Sequence, residues 1–300
     1  MKSNKFKIVQ VLVSIALLIF VITKIGPNTI LYTFTSIKLI YFPIIVSLYG
    51  LTLILGGLNL WILLRPVKRT IPLIQVVTYS MVSWAVGLFT PGKLGEFSVA
   101  YLLNKDGLEI SKGVAVALVD KFVTLSTLMI CSGIGMFILF GTKYTIFFSV
   151  GLASLLIAVY LLIFCVGQIN ARKPVTWLRD FQSSLTDFFK DNKGILVINF
   201  FLTMIKWCIT GLSFYVVFAS FGSSANVALI IIISMTITFI NIIPVTLHGL
   251  GLKEIAAIYL YGMIGVPQEI AVVSSLFFSI LAYALGLIIM LSLGSRFYRK

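Results

Sequence analysis

Charge is scarce in this chain: Asp, Glu, Lys and Arg make up 11% of its 300 residues, and only nine residues are acidic. There is one histidine, and the three cysteines, Cys131, Cys165 and Cys208, each fall inside an apolar run. None of the three has CxxC spacing or a nearby cluster of His or acidic residues, so no metal site is expected and the cysteines read as inert membrane-facing or packing residues. The chain has no Asp-x-Asp pair and no Gly-rich phosphate loop, so nucleotide or metal chemistry has no visible scaffold and no cofactor is expected.

Hydrocarbon is what the sequence has in quantity. Sixty per cent of the residues are hydrophobic, and they gather in runs of about 18 to 26, long enough to cross a bilayer core as helices. The reading is an all-α polytopic membrane protein, a single integral membrane domain over 1–300. Eight spans are expected, at 8–23, 39–64, 71–89, 113–140, 145–167, 195–219, 226–243 and 270–293. The opening "MKSNKFK" and its apolar run lack a small-residue cleavage site and read as a retained span. The net charge of +14 would suggest nucleic acid in a soluble protein; here the positive-inside bias accounts for it and no nucleic-acid partner is expected.

The polar connection 168–194 contains "WLRDFQSSLTDFFK", with Trp177, Phe181, Leu185, Phe188 and Phe189 at helical spacing. It reads as an amphipathic cytoplasmic segment in the headgroup plane. The N-terminus, "RPVKR" at 65–69 and this loop are all basic, so all three belong on the cytoplasmic side of a cell membrane. Three spans between the last two clusters would separate them, so residues 91–106 are expected to turn back through the membrane as a short helix. A second re-entry over 244–268 is needed to bring "RFYRK" inside. Both termini are then cytoplasmic, with only Lys24, Lys38 and Lys143 outside and Lys93, Lys121, Lys206 and Lys253 at membrane depth.

The two proposed re-entrant segments match. "GKLGEFSVAYLLNKDG" and "GLKEIAAIYLYGMIG" each place a Glu eleven residues before a Gly, Glu96 to Gly107 and Glu254 to Gly265. Entered from opposite faces, they make the pattern of an inverted repeat, with cores over 71–140 and 226–293. The paired motifs "TPGKLGE" and "IPVTLHGLGLKE", about 150 residues apart, also resemble the flippase-like membrane family named for the transmembrane region of lysylphosphatidylglycerol synthase. That resemblance implies translocation of a lipid or lipid-linked glycan. It gives no support to lysyl transfer, since the aminoacyl-transfer domain of the bifunctional members is not in this sequence. In the family, Arg is more usual at Lys93, Glu-Arg at Asp120 and Lys121, and Gly at His248.

Seven charges, Lys93, Glu96, Asp120, Lys121, Lys206, Lys253 and Glu254, fall at membrane depth. At about 3 kcal/mol each near a helix centre, leaving all seven unpaired would cost on the order of 20 kcal/mol, more than the roughly 5–15 kcal/mol that holds a protein folded. Pairing or hydration is required, and four lysines against three acids leave a positive surplus suited to an anionic headgroup. Adjacent on a helix, Asp120 and Lys121 point about 100° apart and are not expected to be main partners. Asp120 is expected to pair with Lys93 or Lys206, and Lys121 with Glu96, with Glu96 also fixing Lys93. Pro91 and Gly92 break a helix, and the freed N–H groups at the start of the next short helix offer an anion site. The expected substrate-binding set is Pro91, Gly92, Lys93, Gly95, Glu96, Asp120, Lys121, Lys206, Pro244, His248, Gly249, Gly251, Lys253 and Glu254. The partner is an anionic phospholipid or polyprenyl-phosphate-linked glycan. Two alternatives remain: an enzyme acting on a lipid phosphate with Glu96 or Asp120 as base, and a scaffold that docks envelope-biosynthesis enzymes through 168–194.

Overall fold

A computed structural model describes residues 2–68, 70–146, 192–242, 245–246 and 249–294, and among them every regular element is helical. Helices satisfy their own backbone groups, which is what a chain this apolar requires in lipid. In chain order they are α1 (Lys2–Ile25), α2 (Pro27–Thr35), α3 (Phe42–Leu64), α4 (Leu73–Leu88), 3₁₀ turns over Pro91–Phe97, α5 (Ser98–Asn104) and α6 (Ile110–Phe140). After the undescribed stretch come α7 (Lys193–Ser220), α8 (Val227–Ile240), α9 (Leu252–Gly262) and α10 (Gln268–Ile289), the last running into a π-helical turn, Met290–Gly294.

Among the described residues, four helical stretches are long and apolar enough to cross a membrane: Leu39–Leu64, Ile110–Phe140, Lys193–Ser220 and Gln268–Gly294. Helices α4 and α8 are apolar but shorter. Six of the expected spans therefore coincide with α3, α4, α6, α7, α8 and α10. The expected span 145–167 and the amphipathic segment 168–194 lie outside the described residues, apart from 145–146 and 192–194. The first expected span, 8–23, lies within α1, and beyond it the chain bends by 82° between Val9–Ile25 and α2, a helix outside the eight expected spans. Gly26 holds φ 95, which no helical residue adopts, and Pro27 restarts the helix at its first position.

Among the described residues, the two largest of five apolar clusters each form around one short helix. The first joins α3, α4, α5 and α6 through residues such as Leu63, Val82, Leu102 and Val116; the second joins α7, α8, α9 and α10 through Phe218, Ile233, Tyr261 and Ala271. The halves interlock, since α8 packs on α6 and α10 packs on α4. Glycines set the closest approaches. A Cβ on Gly57 of α3 would come 2.5 Å from Val77 of α4, and one on Gly211 of α7 would come 2.6 Å from Ile231 of α8. Across the halves, Gly135 of α6 meets Ile232 of α8 and Gly286 of α10 meets Leu88 of α4 in the same manner, at 2.8 and 2.6 Å. Small residues at such crossings let helices approach where lipid supplies no hydrophobic drive.

A buried polar seam joins α3 to α7. The Asn59 amide donates to Thr203 Oγ1 at 3.1 Å, and the Asn199 amide donates to the Asn59 carbonyl oxygen at 3.0 Å.

Candidate functional site

Helix α4 stops at Leu88, and Thr90 takes an extended backbone ahead of Pro91. Gly92 and Lys93 then follow in the left-handed region, at φ 59 and φ 58. Among the described residues Lys93 is the one non-glycine with positive φ. A side chain in that conformation costs about 1–2 kcal/mol, so the turn holds its lysine against a local preference. Thr90 supports it from below: its Oγ1 accepts from the Gly95 N–H at 2.7 Å, and its carbonyl oxygen accepts from the Lys93 N–H at 3.2 Å. Those two donors are therefore satisfied inside the turn and are not open to an anion.

Gly95 and Gly87 make the turn compact. A Cβ on Gly95 would sit 2.7 Å from Thr90 Oγ1 and from the Val86 carbonyl, and one on Gly87 would sit 2.6 Å from Cγ of Glu96. The Glu96 stem thus lies on bare backbone of α4, which sends its carboxylate to α6, where Oε2 pairs with Lys121 Nζ. Lys121 Nζ also stands 3.4 Å from Asp120 Oδ2. The expected Lys121–Glu96 pair is present. Asp120, however, makes its ion pair with its neighbour and makes none within 4 Å with Lys93 or Lys206. A lysine stem is long enough to swing its ammonium across the 100° that separates adjacent Cβ directions, so one nitrogen serves both acids. Glu96 likewise takes Lys121 as its ion-pair partner and not Lys93, although Lys93 lies within its electrostatic range.

Lys206 of α7 lies over the Trp207 ring at 4.8 Å and within electrostatic range of Asp120, Lys121, Glu96 and Lys93. The first break therefore gathers three lysines and two acids, and the positive surplus belongs to it. Glu96 and Asp120 keep 14% side-chain exposure and Lys121 keeps 41%, so the cluster is partly open.

The second break is built differently. Gly249 and Gly251 hold φ 74 and φ 84. Gly251 packs on α1, where a Cβ would come 2.4 Å from that of Leu17. Glu254 is fully buried; its Oε2 accepts from the Gly251 N–H at 2.7 Å and its Oε1 from Ser275 Oγ of α10 at 3.0 Å. Lys253 Nζ stands 4.0 Å from Glu254 Oε1. The start of α9 is thus capped by its own carboxylate. Pro244 and His248 lie outside the described residues.

Sequence reasoning passed over Thr90, Gly87 and Ser275, and also Asn59 and Asn199. An Asn inside an apolar run was a readable signal for the last two. Gly87 and Thr90 carry no signal until the chain folds back on them. Among the described residues no group of three or more His, Cys, Asp or Glu is arranged to hold a metal ion.

The model of the lysylphosphatidylglycerol synthase transmembrane region matches residues 7–289. The chain is also similar to a UPF0104 membrane protein of Methanocaldococcus jannaschii, 23% identical over 206 residues, covering 66% of this chain and 88% of that protein. No solved structure matches. With its apolar helices and a match that spans nearly its whole length, the chain is an integral membrane protein that belongs to the lysylphosphatidylglycerol synthase transmembrane-region family.

Proposed function

We propose that this protein is a transporter that carries an anionic, phosphate-bearing lipid headgroup between the leaflets of a cell membrane while the chains stay in the bilayer. The observation that carries the reading is the charged cluster at the first break: Lys93, Lys121 and Lys206 outnumber Glu96 and Asp120 within a bundle of apolar helices. A net positive, partly open cluster at membrane depth is costly unless something anionic visits it. Holding Lys93 in a strained turn fits a functional placement better than a structural one.

The architecture in this reading is eight spans and two re-entrant segments in an inverted repeat, with both termini cytoplasmic. Three observations support it. Helix α4, at 16 residues, is shorter than the roughly 20 residues a bilayer core needs, so the chain at Pro91 breaks at depth. Taking α3 to α6 as equivalent to α7 to α10, the packing pairs exchange: α3 on α4 with α7 on α8, α5 on α6 with α9 on α10, and α4 on α10 with α8 on α6. The close-approach glycines exchange with them, Gly57 with Gly211 and Gly135 with Gly286. Alternating access then follows as one half rocks against the other around the cluster.

The test is equilibration of labelled phosphatidylglycerol across vesicles that hold the purified protein. Transport is expected in the wild type and is lost in Glu96→Gln and in Lys93→Ala. Unchanged rates in both variants would refute the cluster's role, and conversion of the lipid to a new species would replace transport with enzymatic chemistry.

A further inference from the structure

Away from the charged cluster, α1 and α9 enclose a groove of about 460 Å³. Its α9 wall is Ile255, Ile258, Tyr259 and Gly262, the i, i+3, i+4, i+7 spacing of one helix face. Phe20 and Lys24 of α1 stand opposite, and Gln268 stands at the mouth. Phe20 and Tyr259 are exposed, so the groove opens outward. From Gly262 to Ile255 it runs along α9 for about 10 Å at 1.5 Å per residue. Lys24 is the one charged residue of the lining, and among the described residues no carboxylate pairs with it. It sits in the last turn of α1, ahead of the 82° bend, while Gln268 opens α10. The polar end of the groove thus falls where apolar helices begin and end, and its apolar wall runs from there along α9.

We propose that this groove is a resident site for one anionic phospholipid, with its phosphate on Lys24 and Gln268 and one acyl chain laid along Ile255 and Ile258. None of Lys93, Glu96, Asp120, Lys121 and Lys206 lines the groove, so the site is separate from the charged cluster. The inference rests on the chain lying in a bilayer and not on the transport reading. Lipid tails are as apolar as the groove walls, so burial of the chain supplies position and little preference. Selectivity comes from Lys24, and one lysine near an anionic headgroup gives about fivefold.

The experiment uses the full chain in vesicles that contain phosphatidylglycerol or phosphatidylcholine carrying a photoactivatable acyl chain, with labelled residues identified by mass spectrometry. In the wild type, labels are expected on Phe20, Ile255, Ile258 and Tyr259, about fivefold stronger from phosphatidylglycerol. Lys24→Ala should bring the two lipids level while the labels persist, and Lys24→Arg should keep the preference. A Cβ on Gly262 would meet nothing within 4 Å, so Gly262→Leu fills the groove without disturbing the core and should remove the labels from both lipids. Equal labelling by the two lipids in the wild type would overturn the site, as would a preference that survives Lys24→Ala or labels that survive Gly262→Leu. A lysine that merely snorkels to the interface gives the last result.

Discussion

Glu96 and Glu254 stand at matching places after a helix break, yet Glu96 reaches across to a lysine on another helix while Glu254 folds back to its own helix start and a serine. The first carboxylate remains 14% exposed and shares its cation with Asp120. The second is sealed at 0% and satisfies a backbone N–H that would otherwise be orphaned. The difference lies in what surrounds the two carboxylates. Three lysines converge on the first break and one on the second, so the first can receive an anion and the second is close to neutral. The second break uses its carboxylate as a strut, and the first is the one on which the proposed transport rests.

Glu254→Ala tests this contrast with the largest effect. It leaves the Gly251 N–H, the Ser275 hydroxyl and the Lys253 charge without their acceptor, and breaking such a buried group costs about 3–5 kcal/mol. Thermal unfolding in detergent should show that loss. Glu96→Gln should cost about 1 kcal/mol, near the net value of one hydrogen bond, because Lys121 keeps Asp120, and yet it should abolish lipid transport. Equal destabilisation by the two substitutions would erase the distinction between strut and site.

The glycines sharpen it at a smaller scale. Gly95→Ala forces a methyl against Thr90 and the Val86 carbonyl, an overpacking worth about 1–3 kcal/mol. Gly251→Ala meets the same kind of clash against Leu17 and adds the strain of φ 84, so it should be the more damaging by about 1–2 kcal/mol. If chemical denaturation ranks them the other way, the second break is the looser of the two.

Much of this arrangement was legible in the sequence. Pro91 and Gly92 after an apolar run announced the first break, and Glu96 with Lys121 followed from the cost of isolated charge in lipid. The Asp120–Lys121 contact was missed because the helix argument used Cβ directions and ignored how far a lysine stem reaches. The bend at Gly26 was written in Gly-Pro but hidden by apolar residues on both sides of it, since a count of hydrophobic length does not register direction. Whether Glu254 would cap its own helix or reach a neighbour could not be read at all. Its spacing to Gly265 equals that of Glu96 to Gly107, and the choice depends on Ser275 arriving from α10 and on Leu17 closing over Gly251.

Lys93 gives the finest test, because stability and function should move in opposite directions there. Its φ of 58 is a conformation that glycine adopts freely, and Gly92 beside it already does so at φ 59. Lys93→Gly removes the left-handed penalty of about 1–2 kcal/mol and a partly buried charge from a cluster with a positive surplus, while a second flexible residue raises the entropy cost of ordering the turn by about 0.5–1 kcal/mol. The net expectation is a protein that unfolds at the same or a slightly higher temperature and equilibrates phosphatidylglycerol far more slowly. A lysine kept for structure would give the reverse, a lower unfolding temperature with transport intact. By contrast Lys253→Gly, in a helix and 4.0 Å from Glu254 Oε1, should destabilise, since it relieves no strain and places glycine in the first turn of α9.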